Sequence, residues 1–111
     1  VRKPIRPDPK WKLKASEITT LVQAGASEED ELRKRLQAFA DAHGLALSQV
    51  SDAVIKGLIK QRERWGEYYC PCRVVTGDPN ADAWKICPCD AVFVDIERMG
   101  RCHCGLFTKS D

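Results

Sequence analysis

The sequence predicts a small, mainly α-helical domain whose C-terminal part is organised by its cysteines. Three observations carry this. The 111 residues suffice for one modest domain and not two. Between residues 27 and 66, apolar side chains recur at helical spacing. All six cysteines fall at or after residue 70, in three Cys-x-Cys pairs: Cys70 and Cys72, Cys87 and Cys89, Cys102 and Cys104. A chain of this size buries a thin core, which a metal or a set of disulfides commonly supplements.

Residues 1–26 read as a basic arm lying on the domain. "VRKPIRPDPKWKLK" carries six Lys/Arg against one Asp, a charge that suits a solvated terminus or an acidic partner. It has prolines near its start and lacks the apolar core of a signal peptide. "SEITTLVQ" offers a short helix, opposed by the β-branched pair Thr19-Thr20.

Residues 27–66 read as the helical body. Ser27, followed by Glu28, Glu29 and Asp30, is an N-cap with acids in the first turn, where they meet free N–H groups and the positive end of the helix dipole. Leu32, Leu36 and Phe39 then share one face, and Gly44 ends the helix. A second helix begins near Ser48 or Ser51. Val50, Val54, Ile55, Leu58 and Ile59 form its apolar stripe, "KQRER" its wet side, and Gly66 its stop. Gly57 inside it costs roughly 1 kcal/mol relative to Ala, which either a close packing contact or a tolerated defect would explain. His43 sits near a helix C-terminus and carries no assigned function.

Residues 67–111 hold every cysteine. "TGDPNAD" (Thr76 to Asp82) is a turn-rich loop, and in "AVFVDI" (Ala91 to Ile96) strand competes with helix. No apolar run approaches the roughly 18 residues of a membrane span, and there is no phosphate-binding glycine loop. Without a secretory signal, metal or redox chemistry is favoured over a disulfide framework.

Three chemistries compete for the cysteines. Zinc takes four ligands in a tetrahedron, usually from Cys-x2-Cys loops. Here Pro71 and Pro88 stand between the thiols, each removing an N–H and fixing φ, and two cysteines would be left over. A structural disulfide set is the second. An iron–sulfur cluster is the third: a [4Fe–4S] cube takes four thiolates and leaves two, enough for one redox disulfide. His103, between Cys102 and Cys104, suits proton transfer near neutrality, since an unperturbed histidine titrates at about 6.5. Arg73, Lys85, Arg98, Arg101 and Lys109 flank the cysteines, where they suit an anionic site, an acidic partner or simply a solvated surface. Trp65, Tyr68 and Tyr69 precede the first pair and read as shielding for it.

The ordered pairs "CPCR", "CPC" and "CHCGLF" resemble the catalytic (beta) chain of ferredoxin–thioredoxin reductase, including microbial ferredoxin–disulfide reductases. "VIKGL" (Val54 to Leu58), Trp84, Glu97-Arg98 and Leu106-Phe107 are similar to that pattern too, so the resemblance covers about residues 27–108. It implies a catalytic domain over 27–111, with the helical body at 27–66 and a C-terminal half, 67–111, folded around a [4Fe–4S] cluster. It implies that Cys70, Cys87, Cys89 and Cys102 ligate the cluster and that Cys72 and Cys104 form the redox-active disulfide. Cys72 would attack the target, Cys104 would lie against the cluster, and His103 would donate a proton.

The implied partners are a ferredoxin-like donor and a thioredoxin or glutaredoxin-like protein, with neither nucleic acid nor membrane. Relative to the plant pattern, the segment 73–86 is shorter and the segment 90–101 longer. With the basic arm, that difference favours a microbial, cytoplasmic enzyme without the plant variable subunit, a plastid enzyme being the alternative. The reading from another class is a zinc-binding interaction module. An electron carrier holding the cluster but reducing no disulfide is a third.

Overall fold

A computed structural model describes residues 6–109. Its elements follow the chain as a short 3-10 turn at Pro9–Trp11, α1 (Ala15–Gln23), α2 (Glu28–Ala42), β1 (Leu45–Leu47), α3 (Ser51–Trp65), α4 (Pro79–Asp82), a 3-10 turn at Ala83–Lys85, α5 (Val92–Met99) and β2 (Phe107–Lys109). The domain is thus mainly helical, with its cysteines in the C-terminal part, as the sequence predicts.

The "SEITTLVQ" helix does form, as α1. Thr19 and Thr20 turn their hydroxyls back onto the carbonyls of Ala15 (2.7 Å) and Ser16 (2.8 Å), while Ile18 is fully buried. That burial outweighs the modest helix penalty of a β-branched residue. In α2 the Ser27 hydroxyl accepts from the Asp30 N–H, and Leu32, Leu36, Phe39 and Ala40 face inward. Helix α3 starts at Ser51 rather than Ser48, because the Ser48 hydroxyl is engaged by the Gly105 carbonyl and the Val50 N–H. Val50 therefore precedes the first turn and is 51% exposed, so the apolar stripe narrows to Val54, Ile55 and Leu58, with Ile59 at its margin. Gly66 ends α3 in the left-handed region (φ 89°), its N–H donating to the Arg62 carbonyl.

"AVFVDI" resolves as helix. Val92 and Ile96, one turn apart, are buried, and Phe93 stacks against Phe39 of α2. Strands β1 and β2 pair antiparallel, with Leu47 opposite Phe107 and Leu45 opposite Lys109. One apolar core joins α1, α2, α3, α5 and β2. It includes Cys70, Cys87, Cys89 and Cys102 among its own residues, so the thiols border packed hydrocarbon and not solvent.

The glycine in α3 has a packing cause. A Cβ at Gly57 would lie 2.8 Å from Cγ and 3.0 Å from Cβ of Pro71, the residue between the first two cysteines. Helix propensity alone gives Gly57→Ala a gain of roughly 1 kcal/mol. The clash is with a rigid ring, so Gly57→Ala is expected instead to destabilise by roughly 1–3 kcal/mol and to displace Cys70 and Cys72. Thermal melting of the variant checks this; a raised melting temperature would contradict the contact.

Candidate functional site

Each cysteine pair is presented by a different local device. The first sits on a two-rung antiparallel ladder: the Cys70 N–H donates to the Lys85 carbonyl (2.9 Å) and the Cys87 N–H to the Tyr68 carbonyl (2.9 Å). Cys70, opposite Lys85, and Cys87, opposite Tyr68, are thereby held diagonally across the ladder. The approach is anchored by Tyr68, fully buried, whose hydroxyl donates to Glu28 (2.7 Å), the same carboxylate that accepts from Arg62 Nε (2.6 Å). Burial and the bond to Glu28 both raise the Tyr68 hydroxyl, so it stays protonated and donating. Tyr69 is also buried, whereas Trp65 is 39% exposed and shields little.

The loop between the first two pairs is organised by a buried ion pair. Asp82 accepts from the N–H groups of Thr76 (3.0 Å) and Gly77 (2.9 Å) and from Lys85 Nζ (2.8 Å). Burial alone would raise the Asp82 carboxyl, but the Lys85 ammonium and the Thr76 and Gly77 donors outweigh it and hold it at about 2.

Cys87 and Cys89, separated by a cis Cys87–Pro88 peptide, are secured from the N-terminal side by a residue the sequence reading passed over. Lys12 Nζ donates to the carbonyls of Ile86 (2.8 Å), Pro88 (2.9 Å) and Trp84 (3.2 Å) and pairs with Asp90 (2.9 Å). The next residue, Leu13, donates its N–H to the Cys87 carbonyl (2.8 Å). An ammonium group has three N–H donors and no acceptor, which suits a ring of carbonyls beside a carboxylate. Such a contact spans more than seventy residues and leaves no local pattern to read.

The third pair lies in a tight turn. The Gly105 N–H donates to the Cys102 carbonyl (2.9 Å), Gly105 takes a positive φ of 77°, and the Phe107 N–H donates to the Cys102 sulfur (3.3 Å). The turn is stapled to the end of β1 by the Ser48 N–H on the Leu106 carbonyl (2.9 Å).

The six sulfurs form one connected set. The sulfurs of Cys102 and Cys104 lie 3.6 Å apart, and the thiols of Cys70, Cys87, Cys89, Cys104 and Cys72 are near enough to act on one another's ionisation. All six are free thiols. Their exposure divides them: Cys70, Cys87, Cys89 and Cys102 are each 4% exposed or less, Cys104 is half-buried and Cys72 is exposed. Contacts with neighbouring thiols, Cys104 first among them, push Cys70 well up, and a bond to Cys104 pushes Cys102 up with burial. Cys89 is drawn down to about 6 by Cys70, the Ala91 N–H and Arg73. Cys72 is drawn down by Cys104 and then by Arg73. His103 is exposed and makes no side-chain hydrogen bond among the described residues. His43 packs instead among Trp11, Phe39 and Phe93. Among the described residues, no three His, Cys, Asp or Glu side chains are grouped around a single-ion point, and no helix is long and apolar enough to cross a membrane.

The chain matches the profile of the family described as ferredoxin thioredoxin reductase catalytic beta chain over residues 17–111. It is 31% identical over 88 residues to the ferredoxin-thioredoxin reductase catalytic chain of Pyropia yezoensis, covering 74% of this chain and 72% of that one. It is 30% identical over 105 residues to the chloroplastic catalytic chain of Spinacia oleracea, covering 85% and 69%. With that of Oryza sativa subsp. japonica it shares 32% over 107 residues, covering 84% and 69%. The match runs from within α1 past all three cysteine pairs to residue 111, and the chain belongs to the ferredoxin thioredoxin reductase catalytic beta chain family.

Proposed function

We propose that this chain is an iron–sulfur disulfide reductase, passing electrons one at a time from a ferredoxin-like donor to a disulfide on a thioredoxin-like protein. The observation that carries the reading is the division of the six thiols. Four are walled into the core and two are accessible, with one of the two at the surface. The four buried thiols, Cys70, Cys87, Cys89 and Cys102, fit a [4Fe–4S] cluster in number and donor type. A surrounding N–H group suits anionic sulfur: that of Phe107 points at Cys102. When bound, such a cluster supplies electrons singly to a reaction that consumes two.

The remaining chemistry belongs to the chain's own residues. Cys72, exposed and drawn toward thiolate, attacks one sulfur of the target disulfide and forms a mixed disulfide. The departing target sulfur takes a proton, for which His103 is the candidate donor. Cys104, whose thiol acts on that of Cys72, then attacks the Cys72 sulfur. That closes a Cys72–Cys104 disulfide and frees the target as a dithiol. Two electrons and two protons reopen the pair for the next cycle.

In this reading residues 27–111 carry the chemistry. Of the arm at residues 1–26, Leu13, Ala15 and Ile18 pack on them. Turnover by the purified chain alone tests whether it works without a variable subunit. The chloroplastic relatives support the plastid alternative; the microbial, cytoplasmic expectation rests on the sequence. The zinc-module reading has no observation of its own.

The deciding experiment is a count of iron, acid-labile sulfide and zinc on anaerobically purified protein, with titration of thiols before and after reduction. Four irons, four sulfides and two thiols released only on reduction are expected; one zinc without sulfide ends the reading. His103→Ala should keep the full iron content and slow turnover by roughly 10²-fold, and an unchanged rate removes its role.

A further inference from the structure

Of the five basic residues that flank the cysteines, one is placed unlike the rest. Lys85 is already engaged by Asp82 and the Val74 carbonyl (2.6 Å), and Arg98, Arg101 and Lys109 are exposed. Arg73 instead turns inward. Its Nη2 donates to Asp95 of α5 (3.0 Å), and its guanidinium lies over the Trp84 ring at 5.1 Å. Its Nε is buried and has no hydrogen-bond partner, the one such side-chain nitrogen or oxygen among the described residues.

A guanidinium is planar and rigid. Held by Asp95 and Trp84, it cannot swing its Nε–H out to water. A buried donor without a partner is costly and rare in a folded protein. The acceptor chemistry at hand is sulfur, since the Arg73 charge acts on the thiols of Cys89 and Cys72. Arg73 also follows Cys72 directly in the chain, so one cation serves both the second cysteine pair and the exposed thiol.

We propose that Arg73 is the internal counter-cation of the thiolate site, its Nε–H donating to a sulfur there and its charge favouring the reduced, more negative state. The inference rests on the cluster reading above. It makes Arg73 a positioning and tuning residue that binds neither partner protein. Hydrogen bonds to sulfur and local charge both set the potential of such a site. Loss of both should make it harder to reduce.

The test is a spectroelectrochemical titration of the anaerobically purified, iron-loaded protein, with iron and sulfide counted on the same samples. Arg73→Gln removes the charge and the donor fork and should weaken the one-electron reduction equilibrium about tenfold, a shift of about 59 mV to more negative potential. Arg73→Lys keeps the charge without the fixed Nε–H and should fall between, at about threefold. A variant that merely loosened the fold would lose iron, not move the potential of the iron it kept. Full loading with the wild-type potential in either variant overturns the proposal. If Arg73→Gln fails to load, Arg73→Lys decides it alone. Wild-type protein without four irons would instead overturn the underlying cluster reading, so the two failures are distinguishable.

Discussion

Cys72→Ser is expected to leave the iron and sulfide content unchanged and to abolish disulfide reduction, with a loss of at least roughly a thousandfold. The reason is accessibility. Cys72 is the exposed member of the six, at the turn that the Arg73 N–H closes onto the Cys70 carbonyl (3.0 Å). A serine hydroxyl there is almost wholly protonated at neutral pH and can neither attack a disulfide nor close one with Cys104. Because the side chain reaches solvent, the exchange leaves no buried void. The measurement is reduction of a thioredoxin-type disulfide with electrons supplied by reduced ferredoxin, set beside iron per chain. Retained turnover would assign the attacking thiol elsewhere; lost iron would place Cys72 among the ligands.

Cys87→Ser should do the reverse in kind. Cys87 is 1% exposed, lies in the apolar core, and is held through its N–H by Tyr68 and through its carbonyl by Leu13. Serine offers iron a hard, protonated oxygen in place of a soft thiolate. It also leaves a hydroxyl buried among hydrocarbon, at a cost of roughly 1–3 kcal/mol. Iron and sulfide should fall below roughly a tenth of the wild-type value, with melting temperature and turnover falling together. A stable variant with four irons would remove Cys87 from the ligand set and, with it, the assignment of all four.

These two variants fall on opposite sides of a burial boundary that spacing and composition do not display; the family resemblance alone implied it, with Cys72 meeting the target and Cys87 a ligand. Local rules carried far where the cause is local. The Ser27 cap, the Leu32, Leu36 and Phe39 face and the stop at Gly66 all show in the residues around them. They failed where the cause is distant. "AVFVDI" is helical because Val92 and Ile96 find a core and Phe93 finds Phe39, which its β-branched composition does not announce. Strands of three residues, such as Leu45–Leu47, are too short to display alternation. The cysteine pattern pointed to a family through its order and its intervening Pro, Pro and His. The free Nε of Arg73 and the tie at Lys12 depend on tertiary placement alone.

That tie bears on how the centre can be moved or divided. The family match begins at residue 17, yet the loop bearing Cys87 and Cys89 is fastened by the side chain of residue 12. The fastening is thus not carried by the stretch that defines the kinship. A graft of this loop onto another scaffold, or a chimera joined at the start of the matched region, would inherit the thiols without their clamp. Any such design has to bring residues 12 and 13 with it, or install a substitute cation facing the carbonyls of Ile86 and Pro88.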